Sequence, residues 1–362
     1  MEETTKKSIL DNIILKLNMP GLDNKTNLFR LLALTQKAGL WMRDALISIK
    51  KSETNKWLIM ILEEILKKIN EGTNLSTAMR SLWYFFTEDE IALVESSEIM
   101  GNLPDVLNQI ATELENSQKI RQKIQKAISY PSILIVFSII AIVILMIYVI
   151  PSIVTMFPSK ESLPQITKIV LKLSDFLRSN WYRLFLLIAS LTITYKILYK
   201  YFLPFKALMD WIIISVPVLK DVTKSYYMYK FSNTLWQLYQ AWVNPVLSLK
   251  LISNVFSNFH YKKKVIEIKR DLKWWFTFAE SMEWSKLFDP ILIQIIHIWE
   301  ETWTISSILS KISWFYRDQL ETKIDVLMSF LEPLILSFIA IVIWWIVASI
   351  FLPMAEILNT IK

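Results

Sequence analysis

Residues 133–150 read ILIVFSIIAIVILMIYVI and residues 334–352 read LILSFIAIVIWWIVASIFL. Neither run holds a charge or a proline, and each is long enough to cross a bilayer as a helix. A helix satisfies every backbone N–H and C=O within the segment, which hydrocarbon demands. Prolines frame both runs: Pro131 and Pro151 flank the first, Pro333 and Pro353 the second. A third run, Leu184 to Leu198, reads LFLLIASLTITYKIL and carries Lys196 near its end. It reads as a weaker span, because lysine snorkels and Trp181, Tyr182, Tyr195 and Tyr199 suit the interface. The competing reading is a buried helix of a soluble domain.

Working outward, the 362 residues are 53% hydrophobic and 13% aromatic, which excludes a disordered chain. Zero Cys excludes disulfides, zinc–thiolate sites and a cysteine nucleophile. Mean hydropathy is +0.36, and the long runs argue against a one-domain soluble enzyme. Met1 to Lys7 lacks the apolar run of a signal peptide. Forty Lys and Arg against 33 Asp and Glu give +7. Lys119, Arg121, Lys123 and Lys126 crowd the entrance to the first span, and Lys196, Lys200 and Lys206 follow the second. The positive-inside rule places residues 1–130 and about 200–330 in the cytoplasm and the C-terminus outside. The 151–183 linker leans the other way: most of its charge is far from the first span, but Arg178 and Arg183 flank the second.

The two cytoplasmic regions look alike. Gly39 in QKAGLWMRDALISI and Trp242 in YQAWVNPVLSLKLI stand 203 residues apart, as do Gly72 in GTNLSTAM and Trp275 in WFTFAESM. Ser97–Leu103, SEIMGNL, faces Trp299–Ile305, WEETWTI, at a spacing of 202, as Pro131 faces Pro333 and Pro151 faces Pro353. Within each region the apolar spacing is helical; Trp57 to Ile69, WLIMILEEILKKI, is the clearest case. The fold expected is an all-α membrane protein with two duplicated cytoplasmic helical-bundle domains and three transmembrane helices. Its parts are an N-terminal extension (1–27), a first helical domain (28–130), a first span (131–151), an external linker (152–183) and a second span (184–199). A second helical domain (200–332), a third span (333–353) and an external C-terminus (354–362) complete it. Each domain carries about six short helices packed as a bundle.

Catalytic equipment is sparse. His260 lies beside Lys262, Lys263 and Lys264, and His297 sits in the apolar stretch ILIQIIHIW; two isolated histidines make no metal cluster. Neither a phosphate-binding loop nor a nucleophile elbow occurs. Glu98 and Glu300 occupy matching places before a turn, and read as helix caps, partner contacts or plain surface acids. Lys262, Lys263 and Lys264 read as plain surface, or as a face for lipid headgroups or an acidic partner, rather than for nucleic acid. The spans hold no Asp, Glu or Arg, which argues against a proton or ion relay. No cofactor and no metal are expected, and no enzymatic activity.

These features together resemble the inner-membrane platform protein family shared by type II secretion and type IV pilus assembly. The resemblance rests on the duplicated domain, the turns at Gly39, Gly72 and Gly101, the Ser97–Leu103 and Trp299–Ile305 motifs, and Pro131, Pro333 and Pro353. It implies a non-enzymatic scaffold that couples a hexameric cytoplasmic assembly ATPase to the assembly of pilin or pseudopilin subunits. It also implies other inner-membrane assembly components as partners, and a homo-oligomer. A small-molecule transporter subunit and a membrane-anchored signalling scaffold are the alternatives.

One departure is patterned. The family prefers glycine where this chain has Trp242, Trp275, Trp299 and Trp303. The chain has 4 Gly and 15 Trp, where ordinary usage gives roughly 25 Gly. A turn glycine occupies left-handed backbone space that the largest side chain enters at a cost. The expectation is that UGA codons for glycine have been read as tryptophan, with Trp41, Trp284 and one of Trp344 or Trp345 in the same set.

Overall fold

The computed structural model describes residues 21–149, 151–152, 165–302 and 306–360. Most of the N-terminal extension, residues 153–164 of the linker, and Trp303 lie outside it. Every regular element among the described residues is helical.

Six helices come first: α1 (Leu22–Lys37), α2 (Met42–Ser52), α3 (Lys56–Asn70), α4 (Leu75–Ser81), α5 (Glu88–Met100) and α6 (Leu103–Ile144). Their ends follow local chemistry. Asn55 starts α3 by accepting from the N–H groups of Trp57 (3.0 Å) and Leu58 (3.3 Å). Leu58, Ile61, Leu62 and Ile65 then form its buried stripe, and Gly72 closes it at φ 85°. Thr87 and Glu90 start α5 with a capping box, and Gly101 ends it at φ 75°. Pro131 lies inside α6, which continues as a π-helical turn over Leu145–Val149.

Two helices follow, α7 (Gln165–Tyr201) and α8 (Leu203–Ser215). α7 is broken at Asn180, where φ is −127°, and its two arms meet at 80°. The last six are α9 (Leu219–Gln240), α10 (Pro245–Val255), α11 (Phe259–Lys273), α12 (Phe278–Glu283), α13 (Pro290–Thr302) and α14 (Ser306–Thr360). Asn244 caps α10 and Asn258 caps α11, while Thr277 and Glu280 cap α12 with a second capping box. α14 takes in Pro333 and Pro353.

The chain divides into two compact units. The first joins residues up to Lys123 with Lys220–Glu321. Its core includes Phe29, Leu46, Leu62 and Leu107 from the first helices, and Tyr229, Phe231, Leu249, Ile268 and Leu292 from the last. The second unit holds Ile124–Leu219 and Thr322–Lys362. Residues 200–219 fall in this unit, rather than with the helices that follow them in sequence.

The second unit has a small core of Met146, Val170 and Ile346. Buried hydroxyls beside it bond to carbonyls of other segments: Thr167 Oγ1 donates to Ser349 O (2.8 Å) and Ser174 Oγ to Met146 O (2.5 Å). Large apolar side chains face outward instead, among them Ile133, Phe137, Phe185, Leu334 and Phe338. An apolar exterior of this extent belongs in lipid. Two helical stretches, Leu103–Val149 and Ile308–Ser349, are long and apolar enough to cross a membrane; the bent α7 makes a third if its arms form one span.

Leu62 has no exposed surface, so Leu62→Ala is expected to destabilise the first unit by about 2–5 kcal/mol. Chemical denaturation of the full chain in detergent, followed by circular dichroism, measures the loss.

Candidate functional site

The first unit is built from two stretches of chain separated by nearly a hundred residues, so what joins them is the candidate site. Three helices meet at one polar node. Glu113 on α6 accepts from Tyr229 Oη (2.8 Å), Lys230 Nζ (2.9 Å) and Asn233 Nδ2 (2.5 Å), all on α9. Asn233 turns its Oδ1 the other way and accepts from Ser313 Oγ on α14 (3.1 Å). Lys230 also donates to Ser117 on α6 (3.1 Å). Burial pushes the Tyr229 hydroxyl up, and the Glu113 carboxylate adds to the rise, so the phenol stays a donor. Burial pulls Lys230 down, but Glu113, Tyr226 and Asp89 outweigh it and hold its pKa above the ordinary lysine value.

Further bonds extend this seam. Arg317 donates to Asn116 (2.8 Å), Lys123 pairs with Glu321 (3.4 Å), Asn254 donates to Glu88 (2.7 Å), and Ser96 Oγ donates to the carbonyl of Ala241. Beside it lies an open cleft of about 1090 Å³, with Arg80, Trp83, Glu95, Lys230 and Lys250 among its lining residues. Sequence reasoning missed the node. Its one signal was an acid, Glu113, standing beside the apolar positions Ile110 and Leu114 of a helical stripe.

Glu98 and Glu300 occupy equivalent surroundings. Glu98 accepts from Ser76 N (3.3 Å) and Ser76 Oγ at the start of α4. Glu300 accepts from Phe278 N and Ala279 N (3.0 Å) at the start of α12. Each carboxylate thus caps a short helix from 22 residues away. Burial pushes Glu300 above the ordinary carboxyl range, against the two N–H bonds that favour its charge.

The three lysines do not form one patch. On α11 successive side chains point about 100° apart, so Lys263 is exposed, Lys262 half-buried, and Lys264 buried beside Glu267 (3.6 Å). Gly39, Gly72 and Gly101 have φ of 84°, 85° and 75°, and Trp242 and Trp275 share that region at 56° and 68°. Trp299 lies inside α13 rather than at a turn; it is buried against Tyr239 and Phe278, and its Nε1–H has no acceptor. A second charged contact escaped sequence reasoning. Lys25 Nζ pairs with Glu90 (2.6 Å) and donates to Phe85 O (2.7 Å), with both side chains nearly buried.

No group of three or more His, Cys, Asp or Glu among the described residues is placed to hold a metal. The site is a set of helix-to-helix fastenings. The fold and site thus define an all-helical scaffold with apolar membrane helices.

The family model described as "Type II secretion system (T2SS), protein F" matches residues 28–151 and again 231–353, and the chain belongs to that family. A type IV pilus assembly protein PilC of Pseudomonas aeruginosa is 26% identical over 333 residues, covering 92% of this chain and 89% of that protein. A PilC of Thermus thermophilus is 27% identical over 349 residues, covering 95% and 84%. A type II secretion system protein F of Vibrio cholerae is 25% identical over 333 residues, covering 91% and 81%.

Two outcomes are expected. A double-mutant cycle of Glu113→Ala and Asn233→Ala, read by denaturant unfolding, gives a coupling of about 0.5–3 kcal/mol. The second concerns pH. Burial, outweighing Lys25, pushes Glu90 above the ordinary carboxyl value of 4.5. A raised folded pKa means that the folded chain binds this proton more tightly than the unfolded one. The group's contribution is therefore full at low pH and declines as pH climbs from 4.5 through the folded pKa. Glu90→Gln flattens that slope in a pH series of unfolding midpoints.

Proposed function

We propose that this chain is the inner-membrane platform of a type II secretion or type IV pilus assembly machine, coupling a cytoplasmic assembly ATPase to the addition of pilin-like subunits. The observation that carries this is the family match falling twice on the chain, over 28–151 and 231–353. The two matched stretches are a duplicated module, each a helical bundle feeding one membrane helix. Left-handed turns at Gly39 and Gly72 and at Trp242 and Trp275, and long-range carboxylate caps from Glu98 and Glu300, recur at the same places in both.

Both modules face the cytoplasm, with the N-terminus inside and the C-terminus outside. The basic flank Lys119, Arg121, Lys123 and Lys126 favours this orientation, since positive residues stay on the cytoplasmic side. The odd span between the copies returns the chain so that the second copy faces the same way. The modules dock on the hexameric ATPase, and the membrane helices stand by the path of the pilin. The seam at Glu113 supports a mechanical role: with both modules in one compact unit, a push on either is shared.

Single cysteines placed near residues 80 and 280 are expected to react alike with a membrane-impermeant thiol reagent, both only after the membrane is opened. Labelling of one from outside removes the topology. Co-purification from native membranes is expected to bring down the assembly ATPase, and its absence together with the absence of any pilin crosslink removes the platform reading.

A further inference from the structure

Trp242 and Trp275 end α9 and α11 in left-handed backbone space. Their turns copy those of two glycines bond for bond. Gly39 N–H bonds to Gln36 O (3.0 Å) and Leu40 N–H to Thr35 O (3.1 Å); Gly72 N–H bonds to Ile69 O (3.0 Å) and Thr73 N–H to Lys68 O (3.1 Å). Trp242 N–H bonds to Tyr239 O (2.9 Å) and Val243 N–H to Leu238 O (2.9 Å). Trp275 N–H bonds to Leu272 O (3.2 Å) and Phe276 N–H to Asp271 O (3.3 Å). Each turn joins the left-handed residue to the carbonyl three before it, and the next residue to the carbonyl five before it. That is the Schellman ending, whose left-handed position glycine takes.

A bulky L-residue is an outlier there, because its Cβ crowds the following carbonyl. Asparagine offsets that cost with a short polar side chain that bonds locally; an indole has no such group in reach. Packing does not offset it either. Trp242 is 74% exposed and Trp275 is 96% exposed. A Cβ built on Gly39 or Gly72 meets nothing within 4 Å, so the backbone angle alone is what calls for glycine in this turn.

We infer that residues 242 and 275 are glycine in the protein the source cell makes, each codon being a UGA that this cell decodes as glycine. UGA is one base from the glycine codon GGA and one base from the tryptophan codon UGG. Reading it as tryptophan moves residues from one count to the other, which matches 4 Gly against 15 Trp. Trp41 (φ −64°) and Trp284 (φ −69°) have ordinary backbones, and Trp299 is helical and packed, so the backbone argument stops at two positions. The exposed indoles at 242 and 275 are then no docking surface, and the native face there is a pair of bare turns. The inference holds or falls independently of the platform role.

The gene decides first: UGA is expected at both codons, and UGG at either overturns the inference for that position. Peptide mass spectrometry of the protein from its own cells is expected to give glycine at 242 and 275; tryptophan at either overturns it. In the recombinant full-length chain, Trp242→Gly and Trp275→Gly are each expected to raise the folded-to-unfolded ratio roughly two- to fivefold, seen as a higher unfolding midpoint. An unchanged or lower midpoint removes the structural basis.

Discussion

The first unit depends on a half-buried carboxylate. Glu113 keeps 16% of its side chain exposed, and an acid so enclosed is costly to leave without donors. Tyr229, Lys230 and Asn233 supply the donors, so two stretches of chain must come together for α6 to keep its acid satisfied. Asn233 then passes the demand on, since its amide oxygen needs a donor once its nitrogen is used, and Ser313 on α14 provides one. Apolar packing around the node supplies most of the attraction, but it is tolerant of sliding. Directional bonds to one carboxylate select a single register of α6 against α9.

The two helix groups are not held internally in the same way. In the first, Lys25 and Glu90 bury an ion pair, and Lys25 also lies against the rings of Phe85 and Phe86. Met228 stands 203 residues after Lys25, fully buried, with its sulfur accepting from Asp289 N (3.4 Å). An ion pair and an apolar contact of similar bulk are near-equal solutions to one packing problem, since desolvation consumes most of the Coulomb gain. What the groups share is the termination of helices: left-handed turns, capping boxes at Thr87 and Thr277, and acids that reach across to short helices. A short helix cannot sustain itself on internal bonds, so α4 and α12 each need an outside carboxylate.

For a platform protein, this division of labour is physically apt. Its helices are joined by hydrogen bonds and ion pairs between distant stretches of the chain, which is the chemistry of attachment. In the membrane unit Thr167 and Ser174 bond to carbonyls of other segments and Ser349 to one in its own helix, while large apolar side chains face outward to lipid.

Much of this was legible in the residues because it is local. An uncharged run of 18 residues reports a membrane helix, and a leucine–isoleucine stripe reports a helix face, whatever the rest of the chain does. Gly39 and Trp242, at matched places in two similar stretches, reported a shared turn in the same way. The tertiary structure alone decided who meets whom. Glu113 and Asn233 are 120 residues apart, and nothing in either neighbourhood names the other. Three consecutive lysines looked like one patch until the helix turned them to different sides, and Trp299 looked like a turn residue until α13 ran through it. Periodicity is a property of one segment, whereas pairing belongs to the packing of several, and only the folded chain carries that.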